Sequence, residues 1–164
     1  MRIRPVANDQ EIRKAHEIES IVYTKESAAT LEAFQMRKQV FGSYFLVAEI
    51  ESEHEIVGVT NGVKLHHRDL ADESIKQGVE FAVNGQYFCL LTIAVLPTYQ
   101  RRGIATALLK SVIRIAREEG LKGIVLMCEE HLISFYEQHG FRYAAPSASV
   151  HGGIQWHEMN LLWK

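Results

Sequence analysis

The stretch "YQRRGIATALL", Tyr99 to Leu109, opens a helical pattern with two adjacent arginines, Arg101 and Arg102, where acidic side chains are ordinarily favoured. The first backbone N–H groups of a helix have no partner inside it, and the aligned peptide dipoles make that end effectively positive. Two more positive charges there cost ~0.3–1 kcal/mol each when nothing balances them. An anion removes the conflict. Gly103, at the mouth of the helix pattern Ile104 to Glu119, lets backbone amides come close to a phosphate, and the small Ala105 keeps that access open. Solvated arginines are the plainer reading, and Glu118 and Glu119, which also oppose the dipole at the far end of the helix, speak for it. Neither GxxxxGK[ST] nor a GxGxxG opening a βαβ unit occurs, so nucleoside-triphosphate hydrolysis and dinucleotide redox chemistry lack their usual signals.

Outward from this stretch, "YFCLLTIAVL" (87–96) precedes the turn as a nearly all-apolar run, too continuous for a strand with one wet face and therefore central in a sheet. After the helix come the strand "GIVLMC", a helix "EEHLISFYEQHG", and two strands around "FRYAA" and "IQWHEMNLLW". Before it, "RIRPV" alternates as a strand. Asn8 or Asp9 caps a helix through "QEIRKAHEIESIVY", with Ile12, Ala15, Ile18 and Val22 at helical spacing. "ESAATLEAFQMRKQVF" reads as a second helix marked by Leu31, Phe34 and Met36 or Lys38, and "YFLVAEIE" with "EIVGVTNGVKL" as a hairpin joined by "SEHE". Residues 66–86 read as an inserted lid. Its His66, His67, Asp69 and Asp72 lack a ligand spacing, so no metal is expected. The order is a mixed α/β one ending in an antiparallel pair, without internal repeats.

At 164 residues, the chain has room for one domain, residues 1–164, and its 47% hydrophobic content supplies a core for it. A net charge of -2 gives no bulk attraction to a polyanion, which argues against nucleic acid as a partner. Cys89 and Cys128 sit apart inside apolar runs, as buried thiols of a reducing cytosol do, and form no CxxC. The opening "MRIRPVANDQE" has no apolar leader and no later run is long enough to span a membrane, so a soluble, cytoplasmic protein is expected.

Gln100-Arg101-Arg102-Gly103-Ile104-Ala105 resembles the Q/R-x-x-G-x-G/A element of the GNAT family of acetyl-CoA-dependent N-acetyltransferases, in the same strand–turn–helix setting. "VLMCEEHLISFYEQHGF" and "PSASVHGGIQWHEM" resemble segments of the arylalkylamine (serotonin) N-acetyltransferase branch, and the likeness is strongest from Phe88 to Met159. The resemblance implies an α/β fold of about seven mixed strands and about four flanking helices, whose fourth and fifth strands splay to admit the pantetheine arm. It implies that the diphosphate of acetyl-CoA lies on the amides of Arg101 to Ala105, with the Thr106 hydroxyl beside them. Ile93, Ala94 and Val95 would flank the arm, and the Val95 N–H would face the thioester oxygen, where a donor stabilises developing negative charge. Tyr136 matches the tyrosine that gives a proton to the departing thiolate.

A phenol near pKa ~10 is a weaker acid than a thiol near ~8.5, so hydrogen-bond donation concerted with bond breaking is the chemistry to expect of Tyr136. The attacking amine has to lose its proton, and the two strand histidines of the animal enzymes in this branch align with Cys89 and Leu91, which cannot replace them. Glu129, His131, His151, His157 and Glu158 are the alternatives, together with a water chain. Cys128 as an acyl-carrying nucleophile is disfavoured by its apolar surroundings. Tyr23, Phe34, Phe41 and Trp156 could wall the acceptor pocket, and the final strands could pair two copies into a homodimer. The reading is acetyl transfer to a small primary amine, arylalkylamine or polyamine-like. A non-catalytic CoA-binding module and a protein N-terminal acetyltransferase are the alternatives.

Overall fold

The computed structural model describes residues 1–23, 28–68, 81–147 and 153–163. Seven strands form one sheet in the order β1-β2-β3-β4-β5-β7-β6. They are β1 (Arg2–Pro5), β2 (Leu46–Ile50), β3 (Glu55–Leu65), β4 (Tyr87–Val95), β5 (Gly123–Cys128), β6 (Arg142–Pro146) and β7 (His157–Leu162). The helices are α1 (Asp9–Val22), α2 (Leu31–Phe41), α3 (Ile104–Glu119) and the short α4 (Ile133–Glu137). This is the mixed α/β arrangement expected, with four helices about a seven-stranded sheet among the described residues.

Local chemistry sets the helix ends. The Asn8 side chain accepts from the Glu11 N–H at 3.0 Å and starts α1, while Thr30 accepts from the Ala33 N–H at 3.1 Å and starts α2. The second helix therefore begins five residues later than the pattern from Glu26 implied, because the Thr30 hydroxyl satisfies an orphan amide there. Gly120, with φ of 85°, closes α3 through N–H bonds to the Ala116 and Arg117 carbonyls. The helix expected over "EEHLISFYEQHG" divides into a 3₁₀ turn, Glu130–Leu132, and α4. At the far end of α3, Glu119 takes bonds from Lys64 and Tyr44, and Glu118 pairs with Arg114 at 3.3 Å, so both glutamates that oppose the dipole have partners.

Two layers of side chains sandwich the sheet. Leu108, Leu109, Val112 and Ala116 of α3 pack on Phe88, Leu90, Ile124 and Leu126, while Ile12, Ala15 and Ile18 of α1 join Phe34 and Val47 on the opposite face. Each wholly buried leucine contributes roughly 2 kcal/mol to this packing. Gly58 of β3 permits the close seating of α3, since a Cβ there would lie 3.2 Å from Ile104.

The feature that shapes the site lies in β4. Gly62 faces Leu90 and Asn61 faces Thr92, which leaves Leu91 as an extra residue, a β-bulge. A bulge bends its strand, and β4 stops pairing with parallel β5 at Leu90↔Leu126. From there β5 continues against β7 as far as Cys128↔His157, while β4 runs on alone at that edge to Val95. The central strands splay as expected, and a slot opens between them.

Candidate active site

The slot widens into a cleft of about 550 Å³. Val95, Gln100, Arg101, Gly103, Ala105 and Thr106 line the end nearest the β4–α3 turn. Ile93, Tyr23, Glu129 and Tyr136 line it further along, with Ala94, Ile104 and His131 also on its walls. Of the residues singled out in the turn, Arg102 is the one not brought to the cleft. Its guanidinium lies over the Tyr99 ring at 5.2 Å, and the Tyr99 hydroxyl is held by Glu53 at 3.2 Å and Glu55 at 3.4 Å. The ring that carries the Arg102 guanidinium itself lines the cleft.

The turn leaves the start of α3 open and uncapped by any side chain. Gly103 caps α3 at φ of 80°, without any side chain capping the first amides, and the first turn carries no acidic residue. A Cβ at Gly103 would point into open space within 4 Å, so the approach to the amides is clear. Arg101 also holds a positive φ of 64°, a conformation that costs a non-glycine residue roughly 1–3 kcal/mol and is concentrated at functional sites. His139, absent from the sequence reading, comes within 3.5 Å of Thr106, and burial with the charge of Lys110 lowers its pKa.

Along the slot, the edge of β4 is largely spoken for. The Tyr23 hydroxyl donates to the Ile93 carbonyl and accepts from the Ile93 N–H, both at 3.2 Å. Two residues on, the same edge recurs by strand alternation, and there Gln100 donates to the Val95 carbonyl at 3.0 Å. The Val95 N–H is then the donor this edge presents to the cleft. Tyr136 is buried between Phe135 and Phe141, and burial, followed by the charges of Tyr23 and Cys128, raises its pKa well above that of an ordinary phenol. It keeps its proton at neutral pH.

The other candidates divide. Glu129 and His131 line the cleft, whereas His157 pairs with Tyr143 at 2.9 Å and lies with Glu158 on β7, away from it. His151 falls outside the described residues, as do Asp69 and Asp72. The Cys128 thiol is pushed up to about 12 by burial and then by Glu129, so it is not a nucleophile at neutral pH. Cys89 is buried with Phe41, Val63 and Val125. Phe34 and Phe41 are core residues and not pocket walls: Phe34 packs edge-on to Phe45 at 5.5 Å, and Phe41 meets Phe81 at 5.7 Å. Trp156 is not on the cleft wall. Among the described residues no cluster of three metal-ligating side chains occurs, and no helix is long and apolar enough to cross a membrane.

Beneath the cleft is a buried polar network that the sequence did not disclose. Thr92 donates to Glu19 at 2.6 Å, Arg37 donates to Asn61 at 2.8 Å and approaches Thr92 at 3.4 Å, and all four residues are inaccessible to solvent or nearly so. Burial lowers the Arg37 pKa to about 10, with the Glu19 charge opposing the drop, so the guanidinium stays charged at neutral pH.

Comparison with known proteins adds the lineage. The model of the Acetyltransferase (GNAT) family matches residues 10–141. An uncharacterized N-acetyltransferase, YjcF of Bacillus subtilis (strain 168), is 24% identical over 139 residues, covering 81% of this chain and 92% of that protein. Among solved structures, the GphF GNAT-like decarboxylase in complex with isobutyryl-CoA superposes with a TM-score of 0.83 at 17% identity, over 99% of both chains. The ribosomal-protein-alanine N-acetyltransferase of Brucella melitensis gives 0.68 at 18% identity, over 99% of this chain and 100% of that one.

Proposed function

Because the chain belongs to the acetyltransferase (GNAT) family and is an acetyl-CoA-dependent acetyltransferase, we propose that its acceptor is a small primary amine, of arylalkylamine or polyamine type. The observation that carries this reading is the division of charge along one cleft. Arg101 and the first residues of α3 line the cleft at the turn, and Glu129 lines it from the end of β5. Glu129 directly follows β5, the strand that parts from β4 after Leu90↔Leu126, so its carboxylate stands on the β5 side of the cleft. An ammonium entering there meets a counter-charge worth a few kcal/mol at contact in a partly shielded site.

The residues fit acetyl-CoA, which brings an acyl group already activated as a thioester. The amides of Gly103 to Ala105, Arg101 and Thr106 hold the diphosphate, and Ile93 to Val95 lie alongside the end of the arm and its acyl group. The Val95 N–H donates to the thioester oxygen as charge builds on it. Tyr136 donates its phenolic hydrogen toward the sulfur that leaves. Glu129 draws in the ammonium and passes its proton to water, leaving the neutral amine to attack the thioester carbon as the carbon–sulfur bond breaks. Neither Cys89 nor Leu91 takes part.

Thiol release from acetyl-CoA, recorded with an arylalkylamine, a diamine, a polyamine and a peptide with a free N-terminus, tests the proposal. Turnover with at least one small amine and little with the peptide is expected. Turnover confined to the peptide would make the protein an N-terminal acetyltransferase and overturn the small-amine reading.

A further inference from the structure

Tyr23 closes the slot in a way the transfer chemistry does not require. It is the residue that ends α1, and its N–H is bonded to the Glu19 carbonyl at 2.8 Å. The Glu19 carboxylate accepts from the Ala29 N–H at 2.9 Å and from Thr92 at 2.6 Å. Both feet of the α1–α2 connection are therefore fastened, through Glu19, to the strand whose edge Tyr23 occupies. The phenol makes two bonds to a single residue, Ile93, and so stands across the slot as a short surrogate strand would. Beyond it the space ends, because β4 and β5 are paired again from Leu90 and Leu126 back to Tyr87 and Gly123.

We propose that Tyr23 sets the length of the acyl group this protein accepts, admitting acetyl and disfavouring chains as long as hexanoyl. The inference rests on acetyl-CoA entering with its phosphates at Arg101 and Thr106. In that orientation the acyl end points from Val95 toward Ile93, about 7 Å along the strand, and meets the pinned ring. A longer chain has to break both Ile93 hydrogen bonds and displace a ring held between helix and strand. Glu129 and Tyr136 also line this space, and Glu19 lies buried behind Tyr23, but it is the Tyr23 hydroxyl that bonds to the β4 edge at Ile93.

Calorimetric affinities of the intact protein for acetyl-, propionyl-, butyryl- and hexanoyl-CoA, without amine, test this. The wild-type protein is expected to weaken by about 10-fold or more between acetyl and hexanoyl. Tyr23→Ala should bring that ratio close to one, while Tyr23→Phe, which keeps the ring, should retain most of it. Tyr23→Leu supplies the comparison if the alanine variant melts below the assay temperature. Equal wild-type affinities along the series, or an unchanged ratio in Tyr23→Ala or Tyr23→Leu, would overturn the inference while leaving the acetyl-CoA reading intact. Failure of every thioester to bind would overturn both.

Discussion

Thr92 and Glu19 meet at 2.6 Å in a part of the molecule that water does not reach, hydroxyl to carboxylate, joining the central strand to the first helix. Arg37 approaches the same hydroxyl from α2 at 3.4 Å. Removing one member of such a set leaves a buried charge without its complement. Arg37→Ala is expected to destabilise the protein by about 3–5 kcal/mol in denaturant unfolding, and Arg37→Ala with Glu19→Gln by much less than the sum of the two. Additive losses would show that the network is not one unit.

Tyr136→Phe removes the donor and keeps the ring. Acetyl-CoA should bind as in the wild-type protein while kcat drops by about 10²-fold, the lower range for a general acid. An unaltered kcat takes Tyr136 out of the mechanism.

Gly103→Glu places a carboxylate at the opening of α3 and forces a side chain onto a backbone at φ of 80°. Affinity for acetyl-CoA is expected to fall by at least 10-fold, and calorimetry reads it directly. Arg102→Ala should change the affinity far less, since its guanidinium rests on Tyr99.

Glu129→Gln keeps the shape of the side chain and removes its charge. The KM for a cationic amine should rise by about 10-fold with little change in acetyl-CoA affinity, and a neutral or aromatic amine should feel the loss less. Equal effects on all amines would mean that Glu129 does not act through charge.

Acid sensitivity follows from Arg4, which bonds Glu11 at 2.7 Å and Glu49 at 3.2 Å. The hydrogen bond to Arg4 is the largest influence on Glu11 and holds its carboxyl below the ordinary range. A carboxyl with a depressed folded-state pKa adds stability above its unfolded value, about 4.3, and that stability disappears as the pH falls through the folded value. The stability gap between the wild-type protein and Glu11→Gln should therefore be full at pH 7 and close below about pH 4. A gap of the same size at pH 3 would contradict the assignment.

Periodicity and punctuation made much of this molecule legible. The boundaries of α3, β3 and β5 follow directly from apolar spacing and from Gly103 and Gly120, and the turn that lines the cleft drew notice because Arg101 stands where an acid is normal. What stayed hidden depends on partners distant in sequence. Glu19 and Arg37 look like solvent-facing charges on their helices, because Thr92 and Asn61 come to them only in the folded sheet. Phe34 and Phe41 sit at spacings that a core and a pocket wall share. Tyr23, expected among the pocket walls, does line the cleft, but nothing in its neighbourhood announces a pair of bonds to a residue seventy positions away.

The extra residue Leu91 has a consequence for kinship. A chain lacking only that residue would leave Gly62 and Asn61 facing the partners they face now, and would keep every apolar position of both faces. What would vanish is the bend, and with it the parting of two neighbouring strands. Resemblance scored letter by letter would rate such a chain a near sibling, while a count of residues between Tyr87 and Val95 would tell it apart. In this chain, the opening between its strands is written in spacing as much as in spelling.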